Sequence, residues 1–178
     1  MVVDQMKIST ILVAVLLCMS NAFAQAEDSL VLFTKNVQWS LFKGTPDRDT
    51  LSARISTSIH LEVLKVNVWS GILHFNAYAL MDPSKSWVKV GYADQYTLQH
   101  EQTHFNLTEM CARALQTELN QMKLKSKKSD LIQTTLTKWQ NKLEAVQKQY
   151  DLETMGGNDP VAQNIWNKRI IAELNATE

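Results

Sequence analysis

Cysteine is scarce in this chain, with only Cys18 and Cys111 among 178 residues. Cys18 lies in an amino-terminal segment that looks like a cleavable leader, so the mature chain is expected to keep one thiol. A single cysteine excludes an internal disulfide in the mature protein. Cys111 falls on the apolar side of a predicted helix, where we expect it to be buried as a small apolar side chain.

An excess of either charge is also missing, because 18 Lys and Arg residues balance 18 Asp and Glu residues. This neutrality gives no sign of a nucleic-acid partner, and the basic run from Lys123 to Lys128 is most simply the solvated end of a helix. No repeat, low-complexity tract or linker interrupts the chain after the leader, and a hydrophobic content of 45% is enough for a core. Residues 25–178 are therefore predicted to form a single domain.

Long apolar runs are absent except at the amino terminus. Lys7 provides a positive charge, an apolar stretch runs from Ile8 to Leu17, and Ala22-Phe23-Ala24 forms a small-residue cleavage site before Gln25. This order is typical of a signal peptide, so residues 1–24 are predicted to be removed and the mature protein to be periplasmic or secreted. The apolar stretch is too short to span a membrane stably, so no integral membrane segment is expected after cleavage.

The first half of the mature chain alternates apolar and polar residues with the period of two that is typical of strands. The clearest stretches are Val37–Phe42, Arg54–Val68 and Ile72–Leu80. Turn-forming residues separate them at Lys43–Asp47 and at Asp82–Lys85. We therefore expect a small antiparallel sheet.

The second half has the three- and four-residue apolar spacing of helices. A first long helix is predicted from an N-cap at Thr97 to about Lys125, and a second begins near Ser129. Gly156-Gly157 ends the second helix, and Asp159-Pro160 is typical of an N-cap followed by the first residue of a short last helix. A small sheet followed by two long helices and a short carboxy-terminal helix is an α+β fold.

One pentapeptide of the first predicted helix, His100-Glu101-Gln102-Thr103-His104, has the pattern H-E-x-x-H. Histidines four residues apart lie about 40° from each other on one helical face, so both imidazoles can reach one metal ion. Zinc is the expected metal, and the Glu101 carboxylate can act as a general base that takes a proton from water. The alternative is a helix whose histidines are only packed. His60 and His74 fall on predicted strands, where we expect partly buried packing residues, although His74 could also face the cleft.

Several further segments accompany this motif in order along the chain. They are Val37–Trp39 and Phe42–Asp47, then Lys85–Val88, then Phe105, Glu109 and Ala112-Arg113 after the motif, and finally Tyr150–Thr154 with Gln163, Trp166 and Ile170. Together they resemble the bacterial domain-of-unknown-function family 922, described as predicted secreted zinc-dependent proteases. The resemblance implies a zincin-like protease domain over residues 25–178, with a zinc site on His100 and His104 and with Glu101 as general base. In zincins a sheet edge can pair with an extended substrate beside the metal.

The third ligand departs from the family pattern. The resemblance implies a histidine at the position where this chain has Gly156. Asp151 is the first choice to replace it, because it belongs to the family pattern at the end of the second helix, and Glu153 is an alternative. Two further possibilities are that Asp151 only caps the helix or pairs with Arg169, and that no third ligand exists.

Glu109 is the other acidic residue to weigh, because it lies on the motif helix itself. It is five residues past His104, roughly 140° round the helix, and therefore faces away from the metal. With Arg113 four residues further on, it is expected to form a local ion pair.

The leading hypothesis is an exported zinc-dependent hydrolase, a metallopeptidase that acts on a peptide or protein substrate. The zinc ion would be bound by His100, His104 and Asp151. Glu101 would take a proton from water and pass it to the leaving amine. The alternative is a catalytically inactive zincin-like protein that binds a peptide or a partner through the same cleft, because Gly156 stands where a ligand is expected. A structural zinc site without turnover would need a fourth protein ligand, which no motif supplies.

Overall fold

The computed structural model describes residues 31–32, 36–47, 51–125 and 129–177. The predicted signal peptide, with Cys18, and part of the basic run Lys123–Lys128 lie outside these residues. Within the described part, no helix is both long enough and apolar enough to span a membrane. The described chain has an α+β architecture, in which strands occupy the first half and helices the second.

Among the described residues, five strands form two small antiparallel sheets. Their bounds are β1 (Val31–Leu32), β2 (Ala53–Arg54), β3 (Thr57–Val66), β4 (Leu73–Met81) and β5 (Trp87–Val88). β4 lies between β1 and β3, and β2 pairs with β5. The long β3–β4 hairpin confirms the strands predicted over Arg54–Val68 and Ile72–Leu80, and its register shifts between Val63 and Lys65.

Three helices follow the strands in the described part, with bounds α1 (Gln95–Gln121), α2 (Ser129–Glu153) and α3 (Pro160–Ala176). The predicted N-cap of α1 is wrong by one turn, because Asp94 caps the helix by accepting a hydrogen bond from the Thr97 N–H at 2.7 Å. The predicted cap of α3 is confirmed: the Asp159 side chain accepts from two N–H groups, and Pro160 is the first helical residue.

The strand predicted over Val37–Phe42 is wrong, because Trp39–Leu41 forms a short 3₁₀ turn. The Val37 N–H donates to Gln102 Oε1 of α1 at 2.6 Å. A side chain of the motif helix thus binds the backbone group that a neighbouring strand would have bound. The local alternation of apolar residues contains no information on that distant contact.

The core lies between α1, the β3–β4 hairpin and the other two helices. One buried cluster joins Leu107, Cys111, Leu115 and Leu119 of α1 to Phe75 of β4. The prediction for Cys111 is confirmed, because its side chain is buried and burial raises the pKa of the thiol to about 11. At neutral pH this thiol is therefore protonated and behaves as an apolar side chain.

A row of polar side chains joins α1 to the backbone of β4. Asn120, Gln116 and Glu109 accept hydrogen bonds from the N–H groups of Phe75, Ala77 and Ala79, at 2.9, 2.8 and 2.9 Å. These side chains satisfy amide groups along a strand edge that would otherwise need another strand. They also fix α1 alongside the sheet, which sets the position of the H-E-x-x-H turn near the amino-terminal end of the helix.

Candidate metal centre

The two histidines of the motif are buried on one face of α1. His100 is 7% exposed and His104 is 8% exposed. Their ring centroids are 4.8 Å apart and their Nε2 atoms are 3.2 Å apart. The four-residue spacing therefore brings one nitrogen of each ring to the same point.

Asp151, in the last turn of α2, supplies a third polar atom at this point. Its Oδ1 lies 3.2 Å from His100 Nε2 and 3.0 Å from His104 Nε2. The three residues form a group that could hold a metal ion. The structure thus brings Asp151 to the histidines, whereas Arg169 pairs with Glu173 on α3.

The electrostatics of this cluster favour a positive charge between its members. Burial alone would raise the pKa of Asp151, but its close contacts with the His100 and His104 rings, which attract the carboxylate when they are protonated, hold that pKa well below its usual range. Asp151 is therefore ionised at neutral pH. A carboxylate oxygen and two ring nitrogens that face one another need a proton or a metal ion to offset their mutual repulsion.

The ring of His100 is oriented by two neighbours. Tyr150 stacks on it, with centroids 4.7 Å apart and an angle of 22° between the rings. Gln163 of α3 places its Oε1 atom 3.2 Å from His100 Nδ1. An amide oxygen only accepts hydrogen bonds, so Nδ1 carries the proton in this contact and Nε2 keeps its lone pair for the cluster.

His104 has less support than His100. Its ring meets Tyr150 edge-on, with centroids 5.0 Å apart and an angle of 80°. Its Nδ1 atom is buried and has no hydrogen-bond partner among the described residues. Packing orients the His104 ring. We therefore expect the position of this ring to depend on a bound ion more strongly than the position of the His100 ring does.

Glu101 lies beside the cluster and is 3% exposed. Its Oε2 atom accepts a hydrogen bond of 2.7 Å from the N–H of Ile55, directly after β2. Burial raises the pKa of Glu101, although the His104 and His100 rings, when protonated, and the Ile55 N–H oppose the rise. The result is a carboxylate that binds protons more readily than an exposed glutamate.

The cluster and Glu101 line one cavity of about 730 Å³. One wall is formed by Leu51–Ile55 and another by the turn after α2, residues 155–158. The Tyr96 hydroxyl donates to the Gly157 carbonyl oxygen at 2.6 Å, which ties the start of α1 to this turn. A cavity of this size is in the range of sites that hold organic ligands.

The other acidic candidates lie outside the cluster. The Glu153 side chain accepts hydrogen bonds from Gln149 and Trp166, so it does not serve as the alternative third residue. Glu109 and Arg113 form the predicted ion pair, at 2.8 Å. The part of the chain that the structure describes therefore offers Asp151 as the acid of this group.

The packing roles predicted for His60 and His74 are wrong, because both side chains are exposed. Both lie on the β3–β4 hairpin, and neither lines the cavity. His60 keeps one ring contact, with Tyr78 opposite it on β4 at 5.0 Å between centroids.

Sequence reasoning did not assign a role to Gly157, which lies against the metal-binding group. It has a φ of +86°, and a Cβ atom at this position would lie 3.2 Å from both Cγ and Nδ1 of His100. Gly156 also has a positive φ, of +61°, but a Cβ there would meet no atom within 4 Å. The Gly-Gly pair identifies a turn in the sequence, but not which glycine touches a histidine.

No protein-family model, no curated protein and no solved structure matches the chain. Function therefore has to be inferred from the residues of the cavity. The two properties of the cavity that matter most are the convergence of three donor atoms and the buried carboxylate beside them.

Proposed function

We propose that this chain is an exported zinc-dependent hydrolase of the zincin type, and that it cleaves peptide bonds. The observation that carries the proposal is the convergence of His100 Nε2, His104 Nε2 and Asp151 Oδ1 beside the buried Glu101. The H-E-x-x-H pattern and the resemblance to domain family 922 support the same reading.

Zinc suits a donor set of two imidazole nitrogens and one carboxylate oxygen. In a tetrahedral zinc site with bonds of about 2.0–2.1 Å, neighbouring donor atoms lie roughly 3.3 Å apart. The donor atoms here are 3.0, 3.2 and 3.2 Å apart, so small outward shifts would fit the ion. Three protein ligands would leave a fourth position open, as in catalytic rather than structural zinc sites.

Glu101 is proposed as the general base of the reaction. A zinc ion at this site would polarise the scissile carbonyl and lower the pKa of water. The Ile55 N–H holds Glu101 Oε2, which leaves Oε1 to take a proton from water and return it to the leaving amine. Burial, which raises the pKa of Glu101, favours proton uptake by its carboxylate, and a zinc ion bound beside it would oppose this effect.

The outer edge of β2 favours an extended peptide as the substrate. The Lys89 N–H donates to the Ser52 carbonyl oxygen, so the backbone polar groups of Ser52 point toward β5. Alternation along an antiparallel strand then turns the backbone groups of Ala53 and Ile55 the other way, as the Ile55 N–H bond to Glu101 requires. A peptide in the cavity could pair with the backbone of Ala53 as an added strand.

The experiment that tests this proposal compares zinc-loaded and metal-free protein on an unstructured polypeptide such as reduced casein. We expect cleavage by the zinc form, none after chelation, and recovery on adding zinc. Elemental analysis of protein purified without chelator should give about one zinc per chain.

An inactive binding protein would instead carry little zinc and cleave nothing. The reason for that alternative was the missing third ligand at Gly156. The position of Asp151 weakens that reason, because the Asp151 carboxylate already lies beside the two histidines.

Gln163→Ala is expected to weaken zinc binding by about 10- to 100-fold, the usual effect of removing a hydrogen bond to a ligand histidine. The change removes the acceptor that fixes the His100 ring and its tautomer. Competition against a chromophoric zinc chelator measures the affinity. The neighbouring Asn164 is exposed, and Asn164→Ala should bind zinc as the unchanged protein does; equal affinities in the two variants would contradict the role given to Gln163.

Gly157→Ala is expected to displace His100 and to weaken zinc binding, because the added Cβ would press on its ring. Gly156→Ala is the matched control, since alanine is strained by roughly 1–2 kcal/mol at a positive φ in both variants. Thermal unfolding should show destabilisation of both, whereas zinc titration should show a lower affinity only for Gly157→Ala. A normal zinc affinity in Gly157→Ala would mean that the turn does not position His100.

A further inference from the structure

The turn between β3 and β4 presents two large apolar side chains to solvent. Val68 is 94% exposed and Trp69 is 100% exposed. Asn67 organises the turn: its Oδ1 atom accepts from the N–H groups of Trp69 and Ser70, each at 3.0 Å, and its carbonyl accepts from the Gly71 N–H at 2.6 Å. The backbone of the turn is therefore hydrogen-bonded while the Trp69 ring has no covering residue in the described part of the chain.

Two more large apolar side chains are exposed on β3. Val63 is 52% exposed and Leu64 is 57% exposed. The register shift between Val63 and Lys65 explains why two successive apolar residues are both outside, since a bulge interrupts the alternation of a strand. We call Val63, Leu64, Val68 and Trp69 the hairpin tip. Single exposed apolar residues are ordinary, but four large apolar side chains exposed within the seven residues 63–69 are a candidate interaction site.

Positive charge lies beside the hairpin tip. The Leu73 N–H donates to the Leu124 carbonyl oxygen at 2.8 Å, and Ile72 bridges to Lys125, so the chain just after α1 runs along the base of the hairpin. Lys123 and Lys125 are exposed, and neither has an ion-pair partner among the described residues. The segments 63–75 and 119–125 contain no Asp or Glu. This end of the molecule is therefore both apolar and positive.

We propose that the hairpin tip docks on an anionic lipid surface, with Trp69 and Val68 entering the headgroup region and Lys123 and Lys125 contacting lipid phosphates. Tryptophan is well suited to that interface because its ring is apolar and its N–H is polar. Lysines close to an anionic bilayer are attracted to it, and this attraction decreases with salt. The combination of an inserted ring and adjacent ammonium groups supplies the two signals that stable peripheral binding needs.

A second copy of the chain is a poorer occupant of the same surface. A symmetric dimer through the hairpin tip would place the hairpin tips of two copies against each other. It would also bring Lys123 and Lys125 of both copies together. Like charges at an interface are unfavourable, whereas a lipid surface offers the opposite charge. The apolar and positively charged side chains at this end of the molecule therefore favour an anionic membrane over a second copy of the chain.

Docking in this way would hold the cavity well away from the bilayer. Gln121, the last residue of α1 before the lysines, follows His104 by seventeen residues, which corresponds to about 26 Å at the helical rise. The metal-binding group would then stand above the headgroups, free to meet a soluble or surface-attached polypeptide. Membrane docking does not depend on hydrolysis, so it can be tested in protein without metal.

The test uses vesicles of phosphatidylcholine alone, and of phosphatidylcholine and phosphatidylglycerol in equal parts, sedimented with the exported and processed protein. We expect binding to the mixed vesicles that weakens with salt, and little binding to phosphatidylcholine alone. Trp69→Ser should weaken binding at least about tenfold, because most of the inserted apolar area is lost. Lys123→Gln with Lys125→Gln should weaken it about tenfold or more.

Control variants remove other exposed apolar and basic side chains elsewhere on the surface. Val90 is fully exposed after β5, and Lys148 and Lys168 are exposed on α2 and α3. Val90→Ser, and Lys148→Gln with Lys168→Gln, should bind the mixed vesicles as the unchanged protein does. Three results would each overturn the proposal. Trp69→Ser could bind the mixed vesicles as well as the unchanged protein does, or the unchanged protein could fail to bind them. The unchanged protein could also self-associate without lipid while Trp69→Ser does not.

Discussion

Glu101→Gln is expected to lower kcat by about 10²- to 10⁴-fold, the range that a general base contributes, while the protein keeps its fold and its zinc. Glutamine has the size of glutamate, and its amide oxygen can still accept the Ile55 N–H. It cannot take a proton from water. Peptide cleavage followed by mass spectrometry measures the loss, and elemental analysis measures the retained zinc.

The stability of Glu101→Gln separates a catalytic role from a structural one. Burial of an ionised carboxylate is costly, and this cost raises the pKa of Glu101. Replacing the carboxylate by a neutral amide removes that cost, so the free energy of unfolding should be unchanged or higher. A variant that is inactive because it is unfolded would show the opposite change in thermal unfolding.

Glu109→Gln is the matched control for this experiment. Glu109 is also a buried carboxylate of α1 that accepts an N–H from a strand, Ala79, but it does not line the cavity. Loss of its ion pair with Arg113 should reduce stability without reducing kcat. Full activity in Glu101→Gln, or equal losses in the two variants, would contradict the assignment of Glu101 as general base.

Asp151→Asn is expected to reduce zinc affinity by about 10²- to 10³-fold, if one ligand contributes roughly a quarter of the 10–16 kcal/mol seen for four-ligand zinc sites. The change keeps the shape of the side chain but removes the negative charge that faces His100 and His104. Hydrolysis should fall at limiting zinc and recover in part at high zinc. Competition with a zinc chelator gives the affinity, and activity at several zinc concentrations gives the recovery.

Glu153→Gln is the control for the charge of this segment. Glu153 lies two residues further on, and its oxygens accept hydrogen bonds from Gln149 and Trp166 outside the metal-binding group. Its neutral variant should bind zinc normally. If Asp151→Asn also binds zinc normally, then the carboxylate of Asp151 is not a ligand and the site has at most the two histidines.

The features that the sequence predicts well are those that depend on neighbouring residues. The helical spacing predicts α1, α2 and α3, and it predicts that His100 and His104 share a face, because both follow from residues three and four apart. The strands of the β3–β4 hairpin follow from local alternation in the same way. Asp151 was chosen as the third metal ligand because its own segment, Tyr150–Thr154, resembles the family pattern.

The features that the sequence does not predict depend on distant contacts. The segment after Val37 resembles a strand, but its backbone binds Gln102, 65 residues away. Ile55 binds Glu101 over 46 residues, and Gln163 contacts His100 over 63 residues. Only the packing of α1 between the strands and the last two helices brings these residues together, so the support of the site can be seen only in the folded chain.

The claim that His100, His104 and Asp151 hold a zinc ion can be tested most directly by crystallography with data collected on both sides of the zinc absorption edge. Protein purified without chelator should show one anomalous peak in the cavity, about 2.0–2.2 Å from both Nε2 atoms and from the Asp151 carboxylate. A map without a peak at this point from protein supplied with zinc, or a peak bound by other residues, would contradict the account.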